Sequence, residues 1–424
     1  MSVLPSRRHF MSSSFAALMQ PAQTNPQIRA AREAALAILK PSEKDLQHAL
    51  ELHAQSLVVE SYGFSPRSAI DGNALRQAIE AGATSQELED LQTDMLLTRV
   101  ADDPSQQQEY REAWDASGVT CVLQNAGEEG NSPMRLLKRL AYFTYLTDRL
   151  PSLVSRAAAP DDIVAAKKQG RHCVYLTGNG IPLAQEWNSV PEELAHIRLF
   201  FQLGIRMMHL TYNRRNALGD GCAEPANAGL SELGRAAVAE MNRVGVIVDV
   251  AHSGWRTSLE AAKASRQPMV ASHTGAVAIH SHIRSKPDEV IRAIADTGGY
   301  VGVFSVVSFL GRDGGLSAML DHIEYLVKRF GADHVAIGTD LAYMPNSADA
   351  EYRKVGPRPK ERPGYEALWP PGALDNRSHP ALAWTNWPMF TVGMVQRGFS
   401  DADIQNILGG NVLRVARAVF PKPA

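Results

Sequence analysis

Two histidines, His252 and His273, stand at the ends of two consecutive apolar segments, residues 245–252 and 268–273. Each segment has the length and composition of a buried strand, and a helical stretch lies between them. We therefore predict neighbouring parallel strands whose carboxyl ends carry both imidazoles. A third apolar segment ends in Asp340 and brings a carboxylate to the same edge. Two imidazoles and a carboxylate are typical ligands of a divalent metal such as zinc, whereas a single histidine at a strand end is more often a hydrogen-bonded structural residue.

The rest of the chain alternates predicted strands with amphipathic stretches that predict helices. Eight strand segments favour a (β/α)8 TIM barrel, which keeps its chemistry at the carboxyl ends of its strands. An open doubly wound sheet is the alternative, but no Gly-x-Gly-x-x-Gly turn follows the first strand. The predicted strands span residues 57–61, 119–123, 173–177, 205–211, 246–251, 268–272, 300–306 and 335–338.

Several segments are predicted to lie outside the barrel repeat. Residues 28–39 predict an N-terminal helical extension, and the proline-rich residues 343–385 predict a long loop after the last strand, over the barrel mouth. Residues 388–397 and 400–418 predict the last two helices. Inside the repeat, residues 84–115 read as one helical stretch.

The amino terminus offers two interpretations. Arg7 and Arg8 lie in a segment that resembles a twin-arginine export motif, but the apolar stretch after it, residues 15–19, is short. Residues 1–27 are therefore either a disordered leader or an export signal, and residues 28–424 form one barrel domain. A cytoplasmic location follows from the first interpretation, which we favour slightly, and a periplasmic location from the second.

Composition restricts the partners. A net charge of −2 with 21% charged residues argues against nucleic acid or an anionic membrane surface, and favours a small-molecule substrate. No apolar run approaches the roughly 18 residues of a membrane span. The three cysteines are too few for a disulfide framework; Cys121 and Cys173 read as buried strand residues, and Cys222 as a small buried residue or a site residue. A homo-oligomer is left open.

Segments spread from Val58 to the carboxyl terminus resemble the membrane dipeptidase (renal dipeptidase) family of zinc peptidases. The segments are Leu-Thr-Tyr-Asn at 210–213, residues 240–252, Ser-His at 272–273, Arg-Ser-Lys-Pro-Asp at 284–288, Ile-Gly-Thr-Asp at 337–340 and Gly-Gly-Asn at 409–411. The resemblance implies a (β/α)8 barrel with a binuclear zinc site that cleaves dipeptides with a free C-terminal carboxylate.

The resemblance also implies roles for individual residues. His252 and His273 match the two histidines that bind one zinc of the family. Asp340 matches the aspartate that handles the proton of the attacking water. Arg284 matches the arginine that binds the substrate carboxylate, a role that suits its bidentate guanidinium.

The chain departs from the family at the second zinc. Tyr62 and Phe64 stand where the family has a His-x-Asp pair, and Thr177-Gly178 stands where it has a bridging glutamate. Tyr212 replaces the histidine that contacts the substrate carbonyl. We therefore expect one zinc or other divalent ion per chain, with Asp340 as its third ligand or as the general base.

The remaining assignments concern the polar edge around the metal. Tyr212 would donate a hydrogen bond to a developing oxyanion, and Asn213 and Arg214 would bind substrate. Asp249 is assigned a structural role, because regular strand alternation turns it away from the face of His252. The missing acid would come from Glu128, Glu129 or Glu60, unless these are solvated or supporting residues.

The sequence thus predicts a dipeptidase-like, metal-dependent hydrolase with a mononuclear site, acting on a dipeptide or other small carboxylated amide. The alternative is a repurposed or non-catalytic barrel that binds a small molecule or performs isomerase or lyase chemistry without the binuclear centre. Retention of His252, His273, Asp340 and Arg284 favours the hydrolase, and loss of the other ligands favours the alternative.

Overall fold

The barrel predicted from the sequence is confirmed. The computed structural model describes residues 24–127, 132–311, 313–356, 366–368 and 379–421. Within them, eight parallel strands follow one another in chain order, and each predicted strand segment overlaps one of them; a ninth, short strand pairs with one of these outside that order. The strands are β1 (Val59–Gly63), β2 (Cys121–Asn125), β3 (Val154–Arg156), β4 (His172–Gly178), β5 (Met207–His209), β6 (Ile247–Asp249), β7 (Val270–Thr274), β8 (Tyr300–Val303) and β9 (Val335–Ile337).

Helices surround the strands and cover the core on the outside. The α-helices are α1 (Pro26–Leu39), α2 (Glu43–Gln55), α3 (Gly72–Glu80), α4 (Ser85–Thr98), α5 (Pro104–Ser117), α6 (Pro133–Arg149), α7 (Pro160–Lys168), α8 (Val190–Gln202), α9 (Glu232–Val244), α10 (Trp255–Ala264), α11 (Asp288–Asp296), α12 (Val307–Leu310), α13 (Leu316–Phe330), α14 (Ala348–Val355), α15 (Trp387–Gln396), α16 (Asp401–Gln405) and α17 (Asn411–Val419). No helix of the described chain is both long and apolar enough to cross a membrane.

Three elements differ from the sequence predictions. The extra strand β3 pairs only with β4, along its first residues, His172–Val174. With three residues, β3 is too short to show a strand pattern in the sequence. Residues 84–115 form two helices, because Pro104 lacks an amide donor and Asp103 caps the second helix. Residues 400–418 form α16, a π-helical turn and α17, and the turn contains Gly409, whose backbone lies against the carbonyl of Leu57.

The inside of the barrel is filled at the amino ends of its strands. Alternate residues of each strand, among them Cys121, Cys173 and Tyr300, form a buried cluster with the apolar face of α17. Both cysteines are buried strand residues, as predicted. Because this end is packed with side chains, the carboxyl ends of the strands are the natural place for a site.

The seam between β1 and β9 closes through backbone and side-chain hydrogen bonds. The Asp340 amide donates to Tyr62 O over 3.3 Å. Glu60 accepts hydrogen bonds from the amide and hydroxyl of Thr339 and, at 2.7 Å, from the Trp384 indole. Burial raises the pKa of Glu60 to about 8. Glu60 therefore joins β1 to the last strand and the outer helical layer, in a supporting position.

Two predicted segments lie partly or wholly outside the described residues. Residues 1–23 of the leader are outside them, as are Glu128, Glu129 and much of the proline-rich loop. The described part of that loop includes α14 and a short helical turn at Glu366–Leu368. Leu368 is buried, and its carbonyl accepts a hydrogen bond at 3.0 Å from Nε2 of His282, which lies in the segment after β7.

Candidate metal site at the carboxyl ends of the strands

The two predicted histidines meet above the middle of the barrel. His252 Nε2 and His273 Nε2 are 2.9 Å apart, and both side chains are buried. His273 lies within β7, next to the end of the strand. His252 lies three residues beyond β6, in a turn that the Ser253 amide closes by donating to Val250 O at 3.0 Å. The adjacent strands β6 and β7 thus bring both imidazoles together.

Hydrogen bonds assign the tautomer of His252. Its Nδ1 lies 2.6 Å from Asn213 Oδ1, a carboxamide oxygen that accepts, so Nδ1 carries the proton. On the other side of the ring, Arg284 Nη2 donates toward His252 Nε2 at 3.2 Å. Because a guanidinium nitrogen can only donate, His252 Nε2 must present its lone pair.

Hydrogen bonds also assign the tautomer of His273. Its Nδ1 lies 2.9 Å from Ser272 Oγ, and the Ser272 hydroxyl gives its own hydrogen to the Asp249 carboxylate. The Ser272 oxygen therefore accepts from His273 Nδ1–H, and His273 Nε2 presents a lone pair. A carboxylate behind a histidine in this way is a usual support for a metal ligand.

Two lone pairs consequently face each other across 2.9 Å. Burial, reinforced by the Arg284 charge, holds the pKa of both His252 and His273 well below the ordinary value, so protonation does not relieve the contact. Neutral imidazoles with converging Nε2 atoms are the donor set that a divalent ion such as zinc prefers. The residues present therefore fit the metal that the sequence predicted.

Two further donors lie beside this pair and were not predicted. His209, the last residue of β5, has Nε2 2.8 Å from Asp249 Oδ2, and both side chains are buried. Donor atoms of His209, Asp249 and His273 all lie within 4.8 Å of one another. Burial alone would raise the pKa of Asp249, but the His209 imidazole and the Ser272 hydrogen bonds lower it below its ordinary value.

The structural role predicted for Asp249 rested on the alternation of side chains along a strand, and this alternation does not continue as far as His252. β6 ends at Asp249, and the Ala251 amide turns back to donate to Asp249 Oδ1 at 2.9 Å. Asp249 therefore holds the turn that leads to His252 and also supports His273 through the Ser272 hydroxyl. His209 carried the signal used for the other histidines, since it too lies near the end of a predicted apolar strand.

Aromatic rings occupy two of the positions that the sequence resemblance assigned to the other metal ligands. Tyr62 stacks on His273 with ring centroids 3.9 Å apart, and its hydroxyl donates to Asn179 Oδ1 at 2.6 Å. Phe64 lies under the Arg67 guanidinium, 4.6 Å from its ring centroid. The side chain of Thr177 donates to Gln124 O. These contacts make the replaced positions packing walls around the histidines.

Arg284 is buried behind the two metal-site histidines. Its guanidinium donates to Ala251 O and, at 3.2 Å, to His273 O. Two residues later, Lys286 Nζ donates to Ser253 O at 2.5 Å, and burial lowers the pKa of Lys286 to about 7. Both cations therefore hold the ends of β6 and β7 in place. Binding of a substrate carboxylate by Arg284 stays a prediction.

The other predicted site residues surround the histidines at different depths. Tyr212 stacks on His252 with ring centroids 4.0 Å apart. Asn213 is buried behind His252, whereas Arg214 is exposed and pairs with Glu224 at 2.8 Å. Asp340 follows β9 in a left-handed conformation with φ 59°. Burial raises the pKa of Asp340 to about 6, against the lowering effect of nearby Arg284. Their catalytic and binding roles stay predictions.

A cavity of about 410 Å³ opens beside these residues. The Cys222 amide in its wall donates to His252 O at 2.8 Å, and the Trp255 indole in its wall donates to Ser285 O at 2.9 Å. Burial raises the pKa of the Cys222 thiol, which favours the interpretation as a small packing residue. The cavity is lined by Cys222, Ala223, Glu224, Pro225, Asn227, Gly254, Trp255, Ile283 and Ala367.

Solved structures share this fold over nearly their whole length. An amidohydrolase from Pseudomonas aeruginosa is 26% identical and superposes with a TM-score of 0.64, covering 88% of this chain and 99% of its own. The probable dipeptidase PvdM from the same organism gives a TM-score of 0.62 at 20% identity, covering 89% and 99%. A metallo peptidase from Rhodobacter sphaeroides, liganded with a phosphinate mimic of the dipeptide L-Ala-D-Ala, gives 0.55 at 18%, covering 86% and 100%.

Sequence comparison points to the same group of proteins. Dipeptidase tcpJ of Claviceps purpurea is 27% identical over 264 residues, 61% of this chain and 54% of that protein. Dipeptidase aclJ of Aspergillus oryzae is 30% identical over 225 residues, 52% of this chain and 46% of that protein. The alignments thus span about half the length of these curated relatives. Residues 48–350 match the family model described as membrane dipeptidase, peptidase family M19, and the chain therefore belongs to the membrane dipeptidase family.

Proposed function

We propose that this protein is a metal-dependent, dipeptidase-like hydrolase that acts on a dipeptide or another small carboxylated amide, with one divalent ion per chain. The observation that carries the proposal is the pair of neutral, buried imidazoles whose Nε2 atoms face each other across 2.9 Å. Membership of the dipeptidase family supports the reaction class. The mononuclear count rests on the replacement of the other ligands by Tyr62, Phe64 and Thr177.

The chain's own residues divide the work around the metal. A bound zinc or similar ion would polarise the scissile carbonyl and lower the pKa of a water molecule. Asp340, with its pKa near 6, is ionised at neutral pH and would accept the proton of that water. Tyr212, stacked on His252, would donate its hydroxyl to the developing oxyanion.

Arg284 has the capacity to bind a substrate carboxylate while it holds the strands. A guanidinium has five N–H donors in one plane. Two of them serve Ala251 O and His273 O, and a third points to His252 Nε2, from which it would be released when that nitrogen binds the metal. The donors not used on the backbone would then be available to a substrate carboxylate, which would favour substrates with a free carboxyl terminus.

The neighbouring cavity supports a substrate of amino-acid size. It is bounded by Ile283, next to Arg284 in sequence, and by Gly254, two residues from His252. Trp255 and Pro225 give it apolar walls, and its volume of about 410 Å³ exceeds that of a single side chain. We propose that one side chain of the dipeptide occupies this cavity while the peptide bond lies over the histidines.

The proposal is tested with a panel of dipeptides and their C-terminal amides, assayed on zinc-loaded protein and on protein stripped by a chelator. We expect hydrolysis of dipeptides with a free carboxylate, loss of activity on stripping, recovery on adding zinc, and poor cleavage of the amides. Zinc-loaded protein that leaves every peptide intact would contradict the hydrolase. It would favour the repurposed barrel, for which the replacement of family ligands by Tyr62 and Phe64 is the argument.

A further inference from the structure

We infer that His209 and Asp249 are metal ligands, so that a single ion lies deeper in the barrel than the His252–His273 pair alone would place it. The inference rests on the proposed function, because it assumes that the protein binds a divalent ion. It adds a ligand set drawn from three consecutive strands, β5, β6 and β7. The family resemblance predicted a metal-binding role for neither His209 nor Asp249.

The first observation is the unsatisfied imidazole of His209. Its side chain is 1% exposed, and neither Nδ1 nor Nε2 has a hydrogen-bond partner among the described residues. Nε2 lies 2.8 Å from Asp249 Oδ2, but the N–H direction is not aligned with that oxygen. A buried polar group without a partner is costly and calls for an explanation. A nitrogen lone pair directed at a metal ion supplies one.

The second observation is the convergence of donors. The ligand atoms of His209, Asp249 and His273 lie within 4.8 Å of one another. Ligands bound to one zinc at about 2.0–2.2 Å can be separated by at most about 4 Å, so small side-chain shifts would close the site. His252 Nε2 lies 2.9 Å from His273 Nε2 but outside that group, so it would join the same ion only after a shift of its own side chain. His209, Asp249 and His273 are the three protein ligands typical of a catalytic zinc, and with His252 as well a five-coordinate ion would still keep one position for water.

The third observation is the support behind these ligands. His209 and Asp249 are directly paired in the register of β5 and β6. The Ser272 amide donates to Asp249 Oδ1 at 3.0 Å, while Oδ2 accepts from the Ser272 hydroxyl and lies near His209. Tyr62 closes the opposite side, with its ring centroid 5.3 Å from that of His209. Rigid strands and outer hydrogen bonds of this kind hold metal ligands in place.

The competing explanation is a buried ion pair between a protonated His209 and Asp249. That pair would place the Nε2 proton on the line to Oδ2; the 2.8 Å contact lacks this geometry, although the imidazole still lowers the pKa of Asp249. An ion pair also predicts that His209 is irrelevant to metal affinity. The two explanations therefore differ in a quantity that does not depend on catalytic activity.

The test uses the full-length protein with Co²⁺ in place of zinc, followed by absorption spectroscopy and equilibrium titration. We expect His209→Phe and His209→Gln each to weaken Co²⁺ binding by about 10–100-fold or more and to alter the visible spectrum. His172→Phe is the matched control, because His172 lies at the amino end of β4 and bonds Val119 O. It should leave the affinity and spectrum unchanged.

The outcomes separate this inference from the proposed function. Wild-type protein that binds no Co²⁺ would overturn both. Wild-type protein that binds Co²⁺ while both His209 variants keep its affinity and spectrum would overturn the ligand role alone. X-ray absorption of zinc-loaded wild type is independent of whether the variants fold: three imidazoles around the ion support the role of His209, and two overturn it.

Discussion

Asn213 offers a sharp test of how the metal site is oriented. Its carboxamide oxygen lies 2.6 Å from His252 Nδ1, and both side chains are buried. Asn213→Leu keeps a similar volume but removes the acceptor, which leaves the imidazole free to turn its Nε2 away from His273. Loss of an outer hydrogen bond to a metal ligand weakens metal affinity by about 10–100-fold, or about 1.4–2.7 kcal/mol.

The assay is a competition titration of zinc between the protein and a chromogenic chelator. Asn213→Asp retains an acceptor oxygen at the same position and should bind zinc at least as tightly as the wild type. Circular dichroism of the metal-free proteins separates lost affinity from lost folding. An unchanged zinc affinity in a folded Asn213→Leu protein would refute the argument that this bond sets the His252 tautomer.

Three further predictions concern charged residues. Arg284→Lys should raise KM for a carboxylated dipeptide about tenfold or more in steady-state assays, because one ammonium cannot replace a fork that also bonds Ala251 O and His273 O; equal KM values would remove Arg284 from substrate binding. Since burial raises the pKa of Asp340 to about 6, kcat/KM should fall about tenfold per pH unit below that value, and a flat acid limb would exclude Asp340 as the base. Burial lowers the pKa of Lys286 from its ordinary value of 10.5 to about 7 in the folded protein. Between those pH values the unfolded chain binds more protons than the folded one, so the free energy of unfolding, measured with urea, should rise with pH. Lys286→Met should flatten that rise, and an unaltered dependence of the unfolding free energy on pH would contradict the role of Lys286.

The barrel could be predicted from the sequence because its signals are local. Segments such as residues 335–338 are continuously apolar, as is typical of strands buried on both faces. The strand β3 could not be predicted, because Val-Ser-Arg is too short and mixed to show a pattern. The break between α4 and α5 was readable from Asp103-Pro104, a helix cap followed by proline, but apolar spacing on both sides concealed it.

The metal site could be predicted only in part. His252 and His273 end apolar segments, and the sequence alone identifies them. Asp249 accepts hydrogen bonds from Ala251 and Ser272, in keeping with its predicted structural role, but alternation predicts side-chain direction only as far as the strand extends, and β6 stops at that residue. The pairing of His209 with Asp249 depends on the register between β5 and β6, which no local pattern contains. The position of Asn213 behind His252 likewise depends on how the loop after β5 folds back.

The most direct test of a single buried metal site is elemental analysis of protein that has been dialysed against zinc and then freed of excess ion. We predict about one zinc per chain for the wild type, and none for folded His252→Ala or His273→Ala proteins. Wild-type protein without bound metal, or both variants with the wild-type metal content, would contradict the account.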